Sequence, residues 1–179
     1  MDPFESEAQL AQLGALHKES FSWALTCCGG NWSDAQDVLQ TVYLHILEKR
    51  ARFGGQSEFK TWLFSVIRNC AAKEMRRQMI RRVFLLRHED EQAPPSGGMV
   101  PGASLEMAEF QNAFEQALNK LPRRQREVLH LVFYEGLTIR AAAQVMGVSL
   151  GAARQHYERG KSKLREQFGS QVEEPEHEQ

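Results

Sequence analysis

Apolar residues recur every three or four positions over most of the chain, which is the pattern of amphipathic helices. Two such stripes lie in the first half, one after Ser33 and one after Ser57, and a weaker one runs from Leu10 to Leu25. Ser33 and Gln36 have the spacing of a capping box, which predicts that a helix begins there. The strong stripes are Ala35, Val38, Leu39, Val42, Ile46 and Leu47, then Phe59, Trp62, Leu63, Val66, Ile67, Cys70 and Ala71.

The second half has the pattern of four more helices. Pro122 suits the first turn of a helix, because its missing N–H would be unpaired there in any case. Thr138 and Ser149 are good N-caps, and Gly136 and Gly147 are good helix ends. The pattern predicts a short helix, a tight turn and a longer basic helix, which is a helix-turn-helix. The four segments are Leu105 to Leu121, Pro122 to Gly136, Thr138 to Met146 and Ser149 to Phe168.

Proline and glycine separate the two halves. The run Ala93-Pro94-Pro95-Ser96-Gly97-Gly98 and the pair Pro101-Gly102 should not be crossed by a regular element. The predicted fold class is therefore all-α, with two small helical domains joined by a flexible linker. The predicted boundaries are 4–87 for the first domain, 88–103 for the linker, 104–169 for the second domain and 170–179 for an acidic, disordered tail.

The net charge of the chain is −1, but the charges are unevenly distributed. Between Lys60 and Arg87 there are eight basic residues and one acidic residue, a net +7. Between Leu121 and Glu166 there are nine basic and four acidic residues, a net +5. The acidic residues gather at the termini and in Glu89-Asp90-Glu91. Two basic blocks in a nearly neutral chain indicate two surfaces that bind a polyanion.

Several other classes of protein receive no support from the residues. The three cysteines (Cys27, Cys28 and Cys70) are an odd number without a CxxC pair, so no disulfide scaffold is expected. A metal or redox sensor built on Cys27 and Cys28 stays an open alternative. No catalytic motif is found, and neither an enzyme nor a cofactor is expected. Without an apolar run near ~20 residues or a signal peptide, the expected location is the cytosol. The six histidines, His17, His45, His88, His130, His156 and His177, are scattered.

Both halves resemble one family. Leu121–Val128, Glu135–Thr138 and Met146–Ser149 resemble, with their spacing, the promoter-binding C-terminal domain of extracytoplasmic-function (ECF) sigma factors. Asp34–Leu44 is similar to the polymerase-binding helix of that family. Phe59–Asn69, with Arg76-Arg77, is similar to its helix for melting and recognising the minus-ten element. The resemblance covers roughly Leu10 to Phe168 and implies an alternative sigma factor.

The resemblance also implies partners. They are core RNA polymerase, promoter DNA and an anti-sigma factor. The contacts with polymerase would be to the clamp of its largest subunit and to the flap of its second-largest subunit. Glu89-Asp90-Glu91 in the linker would mimic nucleic-acid charge near the RNA exit path. A helix-turn-helix DNA-binding regulator that acts without polymerase remains the alternative, and failure to bind core enzyme would favour it.

Three sets of candidate residues follow from the resemblance and the residue types. Basic groups pair with phosphates, exposed rings stack on unpaired bases, and arginine or glutamine can specify guanine or adenine. Phe64 could stack on a base or belong to the core, and Trp62 is expected in the core. The polymerase-binding set is Asp37, Gln40, Thr41 and Leu44; the minus-ten set is Phe53, Thr61, Phe64, Arg68, Asn69, Lys73, Arg76 and Arg77; the minus-thirty-five set is Arg123, Arg126, Ser149, Arg154, Gln155, His156, Arg159 and Lys163.

The chain departs from the family at several positions in the second domain. Ala141-Ala142-Ala143 stands where relatives usually carry Glu-Ile-Ala, which removes a capping partner for Thr138. Ala153 and Gly160 replace the usual valine and alanine. Glycine inside a helix costs on the order of 1 kcal/mol relative to alanine. A more loosely packed second domain is therefore expected.

Overall fold

The computed structural model describes residues 3–85 and 116–168, all of which are helical or in turns between helices. The chain divides into two compact units, and no strand occurs within the described residues. The first unit contains four helices: α1 Pro3–Ala15, α2 His17–Cys27, α3 Trp32–Leu47 and α4 Phe59–Leu85. The segment Gly29–Trp32, which includes the first residue of α3, is grouped with the second unit. The second contains helical residues 116–120, α5 Arg123–Leu129 with a π-helical turn His130–Tyr134, α6 Ile139–Met146 and α7 Leu150–Phe168.

The predicted all-α fold with two small helical domains is confirmed. Some helix boundaries differ from the sequence predictions. The stripe from Leu10 to Leu25 is split at Leu16 between α1 and α2, and α3 begins at Trp32, one residue before Ser33. The linker 88–103, the tail 170–179 and most of the segment Leu105 to Leu121 lie outside the described residues. The domain boundaries therefore stay predictions.

The core of the first unit is centred on the contact between α2 and α4. Trp23 and Phe64 are both fully buried, and their rings stack with centroids 6.0 Å apart. Trp23 Nε1 also donates a hydrogen bond to the Phe64 carbonyl oxygen at 2.9 Å. A buried indole N–H needs such an acceptor, so this bond fixes α2 against α4 in one register.

Helices α3 and α4 meet through their side chains and run antiparallel. Near the start of α3, Asp34 Oδ1 accepts a hydrogen bond from Gln78 Nε2 at 2.8 Å. Near its end, His45 Nδ1 lies 3.8 Å from Cys70 Sγ. The loop between the helices carries Phe53, which packs in a cluster with Phe59 and Trp62 at centroid distances of 5.3 to 5.4 Å. Trp62 is therefore half-buried under this loop, and its assignment to the deep core is wrong.

The second unit has the predicted helix-turn-helix geometry. Thr138 Oγ1 caps α6 by accepting from the Ala141 N–H at 3.1 Å, although the usual glutamate is missing. Ser149 Oγ caps α7 in the same way, from the Ala152 N–H at 3.2 Å. Between the helices, Gly147 ends α6 with a φ of 62°, a left-handed conformation that suits glycine.

Gly160 is a close-packing position and not only a weak point in α7. A Cβ atom there would lie 2.8 Å from Leu129 Cδ1 and 3.2 Å from Gln125 Cβ, so the glycine lets α7 approach α5. Ala142 and Ala153 are also fully buried. The small residues therefore permit close contact between helices, and the expectation of a loosely packed domain is wrong where Gly160 meets Leu129.

Candidate functional site

The outward side of α3 is polar with one apolar residue. Asp37, Gln40 and Thr41 are exposed, and Leu44 keeps 47% of its surface exposed. The opposite side of the helix is in the core, where Ala35, Val38, Leu39 and Val42 are buried. We call Asp37, Gln40, Thr41 and Leu44 the α3 face. An exposed leucine among uncharged polar groups and one carboxylate suits a protein partner better than DNA.

A groove lies between α3 and α4 beside this face. Its volume is about 520 Å³. Asp37, Val38, Thr41 and His45 line it from α3, and Cys70, Lys73, Glu74 and Arg77 line it from α4. Burial raises the pKa of the Cys70 thiol, and Lys73 offsets part of that rise. The groove thus has an apolar floor at the buried Val38 and charges of both signs along its rim.

Fewer residues of the minus-ten set are exposed on the outer side of α4 than the sequence predicts. Asn69, Lys73, Arg76 and Arg77 are exposed, as expected of groups that contact DNA. Three other members of the minus-ten set face inwards: Thr61, Phe64 and Arg68 are buried. The exposed positions predicted for Thr61 and Arg68 are wrong, and of the two alternatives for Phe64 the core is the one observed. The three residues lie at spacings of three and four on α4, and Phe64 packs against Trp23 of α2.

Phe53, also in the minus-ten set, is half-buried in the loop between α3 and α4. Its ring lies edge-on to Phe59 with an interplanar angle of 85°. Gly54 and Gly55 follow it, and Gly55 has a φ of 68°. The loop therefore presents a partly exposed aromatic surface next to the start of α4.

Helix α7 presents a row of polar and basic side chains on its outer side. Arg154, Gln155, Arg159 and Lys163 are exposed and His156 is half-buried. The inner side packs through Ala153, Tyr157, Gly160 and Leu164, all buried. Lys161, on the same helix, is buried, with Nζ 5.3 Å from the centre of the Tyr157 ring and 3.6 Å from Glu158 Oε2.

Two arginines of the minus-thirty-five set make hydrogen bonds within the second unit. Arg123 Nε donates to Glu127 Oε1 at 2.7 Å, and Arg126 Nη1 donates to the Asn119 carbonyl at 3.2 Å. Both side chains are half-buried. Their guanidinium groups are thus oriented by protein partners.

A buried ionic contact, not predicted from the sequence, connects α5 to the turn of the helix-turn-helix. Glu127 is fully buried, and its Oε2 lies 3.8 Å from Arg124 Nη1. The same nitrogen of Arg124 donates to the Met146 carbonyl at 3.0 Å. Met146 is the last residue of α6, so this bond satisfies a carbonyl at a helix end and ties the turn to α5. Arg123 and Glu127 are four residues apart, a spacing at which opposite charges meet on a helix, and this spacing could have indicated an ion pair at Glu127.

Among the described residues, no cysteine belongs to a cluster of three or more possible metal ligands, although Cys70 Sγ lies 3.8 Å from His45 Nδ1. Cys27 and Cys28 are buried, and Cys70 is half-buried. Within residues 3–85 and 116–168, no group of three or more His, Cys, Asp or Glu side chains could hold a metal ion. No helix of this part of the chain is long and apolar enough to cross a membrane.

Comparison with known proteins connects both units to one family. Residues 15–80 match the family model Sigma-70 region 2, and residues 111–164 match Sigma-70, region 4. ECF RNA polymerase sigma factor EcfG of Rhodopseudomonas palustris is 32% identical over 139 residues, 75% of this chain and 71% of that protein. RNA polymerase sigma factor CarQ of Myxococcus xanthus is 29% identical over 94% of this chain and 95% of its own.

A solved structure has the same fold. The sigma factor RpoE of Bartonella quintana, in complex with the anti-sigma factor NepR, matches with a TM-score of 0.74 at 22% identity, over 90% of this chain and 97% of its own. CnrH, in complex with the cytosolic domain of CnrY, matches with a TM-score of 0.58 over 90% of this chain and 88% of its own. With two matching regions in order and a relative above 30% identity, the chain belongs to the ECF RNA polymerase sigma factors, which direct core polymerase to promoters.

Proposed function

We propose that the three exposed surfaces divide the work of a sigma factor among them. The α3 face docks on the clamp of core RNA polymerase. The exposed residues of α4 and the loop at Phe53 act on the minus-ten element. Helix α7 enters the major groove at the minus-thirty-five element, and the second unit also touches the flap. The protein acts in the cytoplasm, where its polymerase works.

The observation that carries this proposal is the α3 face. Leu44 lies on the outer side of a helix whose inner side is core, among polar groups and one carboxylate, and this combination supports a protein partner. Leu44 lies on the same side as Asp37, so a partner helix could cover the leucine and pair with the carboxylate together. The α7 row supports the promoter half of the proposal, because arginine and glutamine can each discriminate between bases.

Control by an anti-sigma factor is part of the proposal. One solved structure with this fold is a sigma factor in complex with an anti-sigma factor, and another is CnrH in complex with the cytosolic domain of CnrY. A factor that covers the α3 face would block polymerase without unfolding the protein. A purified candidate should then compete with core polymerase, and failure of any such competition would count against this control.

Run-off transcription from fragmented genomic DNA tests the proposal. Core polymerase is assayed with and without the protein, and discrete new transcripts that need the protein are expected. Asp37→Arg should abolish them by placing a cation on the α3 face, and Arg154→Ala should abolish them by removing a base contact. Gln36→Arg is the matched control, since Gln36 is exposed on the same helix but outside the α3 face.

The outcome separates the two classes of function. Transcripts that vanish with Asp37→Arg and persist with Gln36→Arg support the sigma-factor assignment of this surface. No transcripts, together with no co-elution with core polymerase, would contradict it. That result would favour a DNA-binding regulator acting without polymerase.

A further inference from the structure

The α3–α4 groove is continuous with the α3 face. Asp37 and Thr41 belong to both, since they line the groove and are exposed on the outer side of α3. A partner that covers the α3 face therefore also covers the near rim of the groove. Its far rim is formed by Lys73, Glu74 and Arg77 of α4.

Helix geometry splits the basic residues of α4 between two sides. Successive residues project about 100° apart round an α-helix, so Arg76 and Arg77 point in different directions. Lys73 and Arg77 are four residues apart and share the groove side. Asn69 and Arg76 are seven residues apart and share another exposed side, which does not line the groove. The minus-ten set thus mixes residues from two surfaces.

The charges on the groove side suit a protein more than a phosphate backbone. Asp37 and Glu74 place a carboxylate on each rim, and Glu74 Oε2 lies 4.0 Å from Arg77 Nη1. Carboxylates repel phosphates, whereas alternating charges over the apolar Val38 complement a protein segment that carries both signs and an apolar side chain. On the other exposed side, Arg76 is basic and Asn69 is uncharged, and Lys73 is four residues from Asn69.

We propose that Lys73, Glu74 and Arg77 extend the polymerase-docking surface across the groove, and that only the Asn69–Arg76 side of α4 faces the minus-ten DNA. This inference rests on the proposed function of the α3 face. Its partner is a segment of core polymerase with charges of both signs. Two residues of the minus-ten set, Lys73 and Arg77, therefore change partner from DNA to protein.

Charge reversal at neighbouring positions tests this assignment. The variants are Lys73→Glu and Arg77→Glu, with Arg76→Glu as the matched control on the adjacent residue. Affinity for core polymerase is measured without DNA by fluorescence anisotropy of labelled protein. Binding of the saturated holoenzyme to a promoter fragment with an already opened minus-ten region is measured separately. Far-UV circular dichroism checks that each variant is folded, and Lys73→Gln is a milder second variant.

We expect Lys73→Glu and Arg77→Glu to weaken core binding by about 5- to 10-fold, as reversal of a rim charge does. Arg76→Glu should leave core affinity within about twofold and weaken binding to the opened promoter instead. Asp37→Arg is the reference that weakens core binding if the α3 face docks as proposed.

Three results would overturn the inference. If Lys73→Glu and Arg77→Glu keep full core affinity while Asp37→Arg loses it, the docking surface stops at α3 and the proposed function stands. If all three keep full affinity, the proposed function fails as well. Loss of opened-promoter binding by Arg77→Glu at unchanged core affinity would return Arg77 to the DNA surface.

Discussion

Helices α4 and α7 are both long and basic, and both were predicted to present DNA-binding residues, yet they differ in how much of their surface is free. On α7, all of Arg154, Gln155, Arg159 and Lys163 are exposed. On α4, Thr61, Phe64 and Arg68 are buried. Both helices contact two others, since α7 packs against α5 and α6, and α4 packs against α2 and meets α3 through Cys70 and Gln78. The difference lies in the width of the buried side, which is a single stripe on α7 but on α4 also includes Thr61, Phe64 and Arg68.

The comparison shows when a helical pattern is sufficient to assign a face. A helix with one apolar stripe has one inner side, and the rest of its surface is available to a partner. A helix with a wider buried side, such as α4, can also bury a residue that lies opposite its stronger apolar stripe. The following predictions test this difference, from the largest expected effect to the smallest.

Phe64→Ala should destabilise the first unit by about 3–5 kcal/mol, because it removes a fully buried ring and leaves a cavity against Trp23. Phe84→Ala is the control on the same helix, where the ring is 77% exposed, and should change stability by less than about 0.5 kcal/mol. Urea unfolding followed by tryptophan fluorescence measures both. A stable Phe64→Ala protein that fails only in promoter opening would show that the ring serves DNA instead.

Gly160→Ala should destabilise the second unit by about 1–3 kcal/mol, although alanine favours the helix itself. The added Cβ would lie 2.8 Å from Leu129 Cδ1, so overpacking outweighs the gain in propensity of about 1 kcal/mol. Gly151→Ala in the same helix has no atom within 4 Å of the new Cβ and should be neutral or stabilising. Thermal unfolding by circular dichroism separates the two. Equal stabilisation by both changes would contradict the close contact of α5 and α7.

Gln155→Ala and Lys163→Ala should weaken promoter binding in different ways. Loss of a base contact should cost roughly 1–3 kcal/mol at one base pair and relax the sequence preference there. Loss of the lysine should weaken binding to all sequences by a similar, smaller amount and lower the salt slope by about 1. Holoenzyme affinities for a matched and a substituted minus-thirty-five element, at several salt concentrations, check this. A uniform loss in Gln155→Ala would remove it from the base-contacting residues.

Local signals in the sequence were enough for the two ends of α6 and the start of α7, but not for the start of α3, which lies before the predicted cap at Ser33. Thr138, Ser149 and Gly147 were assigned correctly because a cap depends on its own residue and its near neighbours. The exposed α3 face followed from one periodic stripe. The all-α fold and the family followed from these patterns and from the motifs that carry the resemblance.

Contacts between distant residues could not be obtained in the same way. The burial of Phe64 depends on Trp23, 41 residues earlier, and the close packing of Gly160 depends on Leu129. The partner of Arg124 is a backbone carbonyl 22 residues away. The sequence does not distinguish an arginine that hydrogen-bonds within the fold from one that is available to a phosphate. Only the neighbouring residues in three dimensions distinguish them.

The three tryptophans of the chain, Trp23, Trp32 and Trp62, all precede residue 63. Trp23 is fully buried, Trp62 is half-buried against Phe53 and Phe59, and Trp32 is 48% exposed. Trp32 is grouped with the second compact unit, so replacing it by phenylalanine would leave indole emission from Trp23 and Trp62 of the first unit. A red shift of that emission on adding core polymerase or a candidate inhibitor would indicate rearrangement around α2 and α4, optically isolated from anything that happens in the helix-turn-helix.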